Sequence, residues 1–239
     1  MPDFSRRAST PELMDTEACG FETFRDCLVD LAGVNRLSLA YRPTLSFLED
    51  LRRSGRWPRG RPLAIVDVGS GYGDMLRQID RWAERRGVAV ELTGVDLNPW
   101  SARAAQQATA ADRPIRWVTA DLFDHRPGQV DVVLSSLFAH HLDDGALVRF
   151  LAHMEATARI GWFVNDLHRH PLPYHFFRGF SRLMRWHRFV QHDGPVSISR
   201  AFVAADWRRL LAAAGIPANE VEVAWRFPFR LCVSRVRAP

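Results

Sequence analysis

The segment Leu63-Ala-Ile-Val-Asp-Val-Gly-Ser-Gly-Tyr-Gly-Asp-Met75 constrains the fold more than any other part of this 239-residue chain. The apolar run 63–68 predicts a buried β-strand, and the three glycines that follow it predict a tight turn. Glycine adopts positive φ angles at little cost and lets a ligand approach the backbone closely. The helix expected from residue 73 would offer unpaired N–H groups to an anionic group. This order of elements predicts a site for a nucleotide-like ligand.

Three acids, each at the end of a predicted strand, narrow the choice of ligand. Asp96 follows the run Val90–Val95 and suits the two hydroxyls of an adenosine ribose. Asp121 follows the run Ile115–Ala120 and is positioned for an adenine amino group. Asp67, two residues before the first glycine, would repel a pyrophosphate and attract the ammonium of a methionine moiety. The Gly-x-Gly-x-Gly spacing also differs from the dinucleotide fingerprint.

The set V-D-V-G-S-G-Y-G-D, V-D-L and A-D-L resembles the class I S-adenosylmethionine-dependent methyltransferases, over about residues 60–165. The resemblance implies an α/β fold with a doubly wound, mostly parallel seven-stranded sheet, and S-adenosyl-L-methionine as the cofactor. A doubly wound fold with incidental acids at its loop tips is the alternative. The residues expected to bind the cofactor are Asp67, Gly69, Ser70, Gly71, Gly73, Asp96, Leu97, Asp121, Leu122, Ser136 and Arg36.

The rest of the chain divides into a helical start and an alternating α/β part. Residues 10–53 look helical, and Thr10-Pro11-Glu12 is a good start signal. From residue 63, strand-like and helix-like runs alternate, which predicts parallel strands with right-handed crossovers. The runs 220–226 and 229–236 predict an antiparallel hairpin at the sheet edge. We therefore expect an N-terminal helical cap over residues 1–55 and a methyltransferase domain over residues 56–239.

The segment 171–193 is predicted as a helical insertion over the active site, after the fifth strand. Arg178, Arg182, Arg185 and Arg188 fall on one face of a helix, with apolar side chains on the other. A helix of this kind can lie on an anionic membrane surface. We favour a roof over a substrate pocket and leave peripheral membrane contact open. Either interpretation indicates an apolar substrate.

Composition and charge fit a cytoplasmic globular enzyme. Apolar residues make up 47% and charged residues 25% of the chain, and no apolar run approaches the ~20 residues of a membrane span. The N-terminus has no apolar signal segment. The net charge of +5 permits an anionic partner, but without long basic runs we expect no nucleic acid. N-terminal helices often mediate dimers in such enzymes, so a homodimer stays open.

The loop after the fourth strand carries the first candidate catalytic residues, His140 and His141. A phenol, with a pKa near ~10, is mostly protonated at neutral pH, and a histidine titrating near ~6.5 can take its proton. Adjacent residues usually point in different directions, so at most one of the two is expected to act. The alternative is a loop histidine that is hydrogen-bonded to the backbone. The [N/D]-P-P-[Y/F/W] motif of amino-group methyltransferases is absent.

A second polar group follows the fifth strand. Asp166 could orient a histidine or a substrate hydroxyl, although an exposed turn cluster has equal weight. We expect Asp166 and His168 to join the two histidines in catalysis, and His170, Phe138 and Phe176 to contact the substrate. No metal is expected, because Asn165-Asp166 reverses the order found in catechol-type enzymes.

The segments Glu12-Leu-Met-Asp15, Asn35-Arg36 and His192–Phe202 resemble a methyltransferase group found with bacterial aromatic and type III polyketide pathways. The resemblance implies a small phenolic or quinol acceptor. Arg36 would then neutralise the cofactor carboxylate, unless it is a helix-surface arginine. The predicted function is O-methylation with histidine assistance. Methylation of a ring carbon, methylation of RNA and cofactor binding without turnover are the alternatives.

Overall fold

A seven-stranded sheet forms the centre of the protein in the computed structural model, which describes residues 3–124 and 128–238. The strand order is β3-β2-β1-β4-β5-β7-β6; β1 to β5 are parallel, and β7 runs antiparallel to both β5 and β6. The predicted doubly wound, mostly parallel sheet is therefore confirmed. The strands are β1 Leu63–Val68, β2 Val90–Asp96, β3 Ile115–Thr119, β4 Val132–Ser136, β5 Gly161–Leu167, β6 Glu222–Arg226 and β7 Arg230–Val236.

The helices begin at capping signals that are visible in the sequence. The Asn98 side chain accepts a hydrogen bond from the Trp100 N–H before a helix with proline in its first turn, and Asp143 caps the Ala146 N–H in the same way. The helices are α1 Leu13–Thr16, α2 Phe21–Leu37, α3 Arg42–Arg53, α4 Asp74–Arg86, α5 Pro99–Gln107, α6 Asp144–Thr157, α7 Pro171–Leu183, α8 Arg188–Arg200 and α9 Ala204–Ala213, with short 3-10 helices at Ala139–His141 and Ala218–Glu220.

Alternate residues of each central strand enter two separate apolar cores. Ile65 and Leu134 face α3 and α4, where Leu48 and Leu76 are fully buried. Residues one position along the same strands, such as Val133, face α6 and α9. This period-two alternation between two helical layers is what a parallel sheet buried on both faces requires.

The N-terminal helices have different positions: α3 packs on the sheet, and α1 packs near the candidate site. The Phe47 ring of α3 stacks on Phe163 of β5 with ring centroids 4.8 Å apart, and Asn165 of β5 donates to the Ala40 carbonyl oxygen at 2.8 Å. Helix α3 therefore forms part of a helical layer on the sheet, because its apolar face covers the sheet. Helix α1 packs against α8 instead. The domain boundary near residue 55 stays a prediction.

The insertion after β5 is two helices, and the prediction of one basic helix face over 171–193 is wrong. Helix α7 ends at Leu183, and Arg185 takes a positive φ of 54° before α8 begins. Trp186 turns back to pack on Phe177 and Phe180, with ring centroids 5.8 and 5.6 Å apart. This aromatic packing interrupts the helix, so the four arginines do not share one face.

The order of the strands places ligand-binding loops at a defined edge of the sheet. Strands β1 and β4 are neighbours, and the chain moves away from them in opposite directions. Ligands of open parallel sheets bind at the carboxyl ends of the strands beside such a switch point. The glycine turn follows β1 and the histidine turn follows β4 at this edge. Among the described residues, no helix combines the length and apolar character needed to cross a bilayer.

Candidate active site

The glycine turn after β1 is held by the neighbouring strand. The N–H groups of Gly69 and Ser70 both donate to the Val95 carbonyl oxygen, at 2.9 and 3.2 Å. Gly73 has a φ of 72°, and a Cβ there would overlap the indole of Trp117. Gly71 also has a positive φ, of 50°, but faces open space. The sequence predicts that these glycines leave room for a ligand. At Gly73 the missing Cβ leaves room for the Trp117 side chain instead, and only Gly71 of these two has open space in which a ligand could approach the backbone.

Asp67, at the end of β1, is a buried carboxylate with an unsatisfied oxygen. It is 2% exposed, and its Oδ1 has no hydrogen-bond partner. Burial, together with the charges of Asp74 and Asp96, raises the pKa of Asp67 well above its usual value. Buried polar atoms without partners are uncommon and call for an explanation. A cationic group of a ligand beside this carboxylate would provide the missing partner and so explain the unsatisfied oxygen.

Asp96, at the end of β2, is tied to the glycine turn. Its Oδ2 accepts the Gly71 N–H at 2.8 Å, and its Oδ1 accepts the Asn98 N–H at 2.9 Å. Burial raises the pKa of Asp96, against the opposing effects of these two N–H groups and of the nearby His141 charge. The Asp96 carboxylate is therefore bonded to the glycine turn and lies close enough to His141 to feel its charge.

The remaining residues predicted to contact the cofactor lie at the same edge but are less enclosed. Asp121 is exposed and accepts the Phe123 N–H at 2.9 Å, while Leu122 is half-buried against the core. The Leu97 side chain is 71% exposed and Ser136 is half-buried. An exposed apolar side chain beside two acids is compatible with a bound adenine. Their contact with a cofactor stays a prediction.

Arg36 lies in the exposed last turn of α2. Its neighbour Asn35 donates to Asp74 Oδ2 at 3.1 Å, and Tyr41 donates to the same oxygen at 2.7 Å. Asp74 begins the helix after the glycine turn, so α2 reaches the expected methionine end of the site. Arg36 is free to meet a carboxylate there, and its role stays a prediction.

The histidine turn after β4 carries a buried carboxylate–imidazole pair. Asp166 Oδ1 lies 2.7 Å from His140 Nδ1, and Asp166 Oδ2 accepts the His140 backbone N–H at 3.0 Å. Burial alone would raise the pKa of Asp166, but the His140 ring and the Leu167 N–H bring it below its usual value. The ionised carboxylate accepts the Nδ1 proton and leaves the Nε2 lone pair of His140 available.

His141 makes the corresponding pair with an acid from the N-terminal segment. Its Nδ1 lies 3.0 Å from Asp15 Oδ2. The Nε2 atoms of His140 and His141 lie 3.6 and 3.8 Å from the two oxygens of Glu12. Glu12 is 5% exposed, and its Oε1 accepts the Ser197 hydroxyl at 2.8 Å. Both imidazoles thus direct Nε2 toward one carboxylate.

Two arginines hold the backbone of the histidine turn. Arg200 donates to the carbonyl oxygens of His140 and His141, at 3.1 and 2.8 Å. Arg7 donates to Leu142 O and to Asp144 Oδ1, each at 2.8 Å. With these carbonyl groups fixed from outside, the two histidine rings have a defined direction.

The other candidate residues lie apart from this pair or serve the fold. His168, His170 and Phe229 form a row of rings with centroids 5.8 Å apart at each step, and His168 Nδ1 is buried without a partner. His170 also caps α7. Phe138 packs on Gly69 and edge-on against Phe150. Phe176 is 66% exposed and stacks on Phe180.

Sequence reasoning missed Glu12 and Asp15 as site residues. Both belong to the Glu12-Leu-Met-Asp15 element, whose resemblance to the polyketide-pathway group implies no role for either acid. Their position depends on Asp193 of α8, whose carboxylate accepts the N–H groups of Leu13 and Met14 at 2.7 and 3.0 Å. This docking fixes α1 beside the histidine turn.

Comparison with known proteins agrees with the fold and with the predicted class. Residues 65–161 match a family model described as "Methyltransferase domain". Magnesium protoporphyrin IX methyltransferase from Synechocystis PCC 6803, solved with bound SAM, is 16% identical; the match covers 97% of this chain and 100% of that one, with a TM-score of 0.57. The plantazolicin methyltransferase BpumL in complex with SAH is 12% identical over 92% and 96% of the two chains, with a TM-score of 0.63.

The CMeT domain of the citrinin polyketide synthase is a further structural neighbour. It is 16% identical, the match covers 82% of this chain and 52% of that chain, and the TM-score is 0.61. A search of curated protein sequences finds no match. Residues 65–161 therefore match a methyltransferase domain, and the fold is similar to that of solved structures that hold SAM or SAH.

The residues at the sheet edge fit this cofactor. The unpartnered, buried Asp67 carboxylate suits an ammonium group, and the open space at Gly71 admits a ligand to the backbone. Asp96 is turned to this space by its bond with the Gly71 N–H.

Proposed function

We propose that this chain transfers a methyl group from S-adenosylmethionine to a hydroxyl group of a small aromatic compound. The observation that carries the proposal is the buried Asp166–His140 pair, which lies at the ends of β5 and β4, on the edge of the sheet where the predicted cofactor residues also lie. When bound, the cofactor supplies a methyl group on a positively charged sulfur. An electron-rich oxygen must then be held in line with it.

The His140 Nε2 would accept the proton of the acceptor hydroxyl. Asp166 favours the charged imidazolium that results and keeps the ring in the required tautomer. A positioned general base of this kind contributes roughly 10²–10⁴-fold to the rate. His141, near Asp96, would orient the same hydroxyl, and His168 Nδ1 would meet a second polar group of the acceptor.

An aromatic acceptor is supported by the rings beyond the end of β5. His168, His170 and Phe229 offer a row of flat faces on which a planar compound can stack. Phe176 and Leu172 are exposed on α7 and would add apolar contact. The citrinin polyketide synthase domain among the structural neighbours is in keeping with a polyketide-type acceptor.

The test is methyl transfer to a panel of phenols and quinols, with methyl-labelled cofactor and mass spectrometry of the products. We expect a labelled methyl ether, and at least a roughly 10²-fold lower rate for His140→Gln. His192→Gln, which alters an exposed histidine that also pairs with an aspartate, is the matched control and should react normally. Label on a ring carbon, or transfer to RNA but to no phenol, would contradict the proposal.

A further inference from the structure

The Nε2 atoms of two histidines and the carboxylate of Glu12 converge at a single point above the end of β4. The three ligand atoms of Glu12, His140 and His141 lie within 4.8 Å of one another. Glu12 and His140 are buried, and His141 is half-buried. Two imidazole nitrogens and one carboxylate oxygen are a donor set that transition metals bind, with further positions open.

The separations between these atoms are too long for direct hydrogen bonds. His140 Nε2 and His141 Nε2 lie 3.6 and 3.8 Å from the Glu12 oxygens, beyond the usual range of about 2.7–3.2 Å. Ligands bound tetrahedrally at about 2.0–2.1 Å from a zinc ion are roughly 3.3 Å apart. The two separations from Glu12 are close to this value, and no two of the three ligand atoms are more than 4.8 Å apart.

Each ligand has a second partner that fixes its direction. Asp166 and Asp15 bind the Nδ1 atoms of the two histidines, at 2.7 and 3.0 Å, and so direct the Nε2 lone pairs inward. The Ser197 hydroxyl holds Glu12 Oε1 at 2.8 Å. Carboxylate–histidine pairs of this kind are the usual outer shell of protein metal sites.

The local charge also favours a cation. Glu12, Asp15 and Asp166 bring three carboxylates to the cluster, two of them almost fully buried. The guanidinium groups of Arg7 and Arg200 donate to backbone carbonyl oxygens of the histidine turn. A divalent ion at the centre of the cluster would balance the negative charge of these carboxylates. The two arginines contact the backbone around the cluster and do not occupy its centre.

We infer that Glu12, His140 and His141 form a binding site for one divalent transition-metal ion of the zinc type. The inference goes beyond the proposed methyl transfer, since ion binding requires neither cofactor nor acceptor. It also changes one step of that proposal. With the ion bound, both Nε2 lone pairs are used, and an acceptor hydroxyl entering the open position would lose its proton more readily as a metal ligand.

The test measures metal binding on the full chain, after treatment with a chelator, without cofactor or acceptor. Calorimetry with Zn²⁺ should give one ion per chain, and Co²⁺ should give the visible absorption of a site with nitrogen and oxygen ligands. Glu12→Gln and His141→Ala should each lose more affinity than Asp15→Asn, which removes an outer partner and should cost about 10–100-fold.

His175→Ala is the control for adventitious binding, because it removes an exposed histidine of α7 that lies outside the cluster. It should keep the wild-type affinity and stoichiometry. Zn²⁺ should also raise the melting temperature of the wild-type protein, which tests the site even if a variant fails to fold.

Absence of stoichiometric binding to the wild type, or binding that Glu12→Gln and His141→Ala leave unchanged, would overturn the inference. Failure of methyl transfer would leave these binding measurements unaffected, so the two proposals can fail separately.

Discussion

Asp166 Oδ1 lies 2.7 Å from His140 Nδ1, and both side chains are almost fully buried. The same carboxylate accepts the backbone N–H groups of His140 and Leu167, at 3.0 and 2.6 Å. The pair is thereby fixed in direction without using the Nε2 atom of the histidine. That arrangement separates two roles which are testable separately: Asp166 positions the ring, and His140 meets the acceptor.

Asp166→Asn should lower the turnover of a phenol acceptor by roughly 10²-fold or more, since the general base loses its tautomer and its charge partner. The affinity for S-adenosylhomocysteine, measured by calorimetry, should hardly change. The double variant Asp166→Asn/His140→Gln should be little slower than His140→Gln alone, because both changes disable one unit.

The matched control for this experiment is Asp112→Asn, which makes the same chemical change at an exposed aspartate away from the histidine turn. It should leave both turnover and cofactor affinity unchanged. A loss of cofactor affinity as large as the loss of turnover in Asp166→Asn would show that the carboxylate only supports the fold.

Asp67→Asn should weaken cofactor binding and at the same time stabilise the free protein. A hydrogen bond to a charged group contributes about 1.5–3 kcal/mol, so the affinity should fall roughly 10–100-fold. The free protein should gain stability near pH 7, on the order of 1 kcal/mol, because a buried and unpartnered carboxylate is removed.

The pH dependence gives the sign of this effect. Because the folded pKa of Asp67 lies above its unfolded value of about 3.8, the wild type loses stability as pH rises from there toward the folded pKa. The advantage of Asp67→Asn should therefore grow with pH across that window in urea unfolding. If Asp67→Asn binds the cofactor with wild-type affinity, Asp67 is not part of the cofactor site.

Local sequence signals predicted the strand ends well because each signal is complete within a few residues. Asp67 and Asp96 lie at the ends of β1 and β2, as expected from the apolar runs before them. Glu12 and Asp15 could not be placed in this way. Asp15 meets a histidine 126 positions along the chain, and that contact exists only because Asp193 captures the start of α1.

The break in the insertion also lies outside what a helical pattern can predict. The arginine spacing over 178–188 continues through Arg185, whose backbone is left-handed. The interruption arises from Trp186 packing back on Phe177, a tertiary contact that overrides the local preference. The contacts of helix α3 with β5 likewise join distant parts of the sequence, so no local pattern predicts them.

His141→Gln should cost more stability at pH 6 than at pH 9. Burial opposes charging of His141, but its hydrogen bond to Asp15 and the Glu12 charge raise its pKa above the usual 6.5. The stabilisation is therefore complete below the unfolded pKa of about 6.5 and is lost as pH rises through the folded value. We expect a difference of up to about 1 kcal/mol in urea unfolding with chelator present.

His175→Gln serves as the surface control for this measurement. His175 is exposed on α7, and its substitution should change stability by no more than about 0.5 kcal/mol at either pH. A penalty for His141→Gln that is equal at both pH values would mean that packing, rather than charge, accounts for its contribution.

Gly73→Ala should destabilise the protein more than Gly55→Ala, although both glycines have nearly the same backbone angle. Their φ values are 72° and 73°, so each alanine pays the left-handed cost of about 1–2 kcal/mol. Only at Gly73 would the new Cβ overlap the Trp117 ring, and overpacking adds roughly 1–3 kcal/mol. Urea unfolding of both variants measures the difference directly. Equal losses of unfolding free energy would mean that Trp117 moves aside at no cost. The packing of its indole on Gly73 would then not help to hold the glycine turn in place.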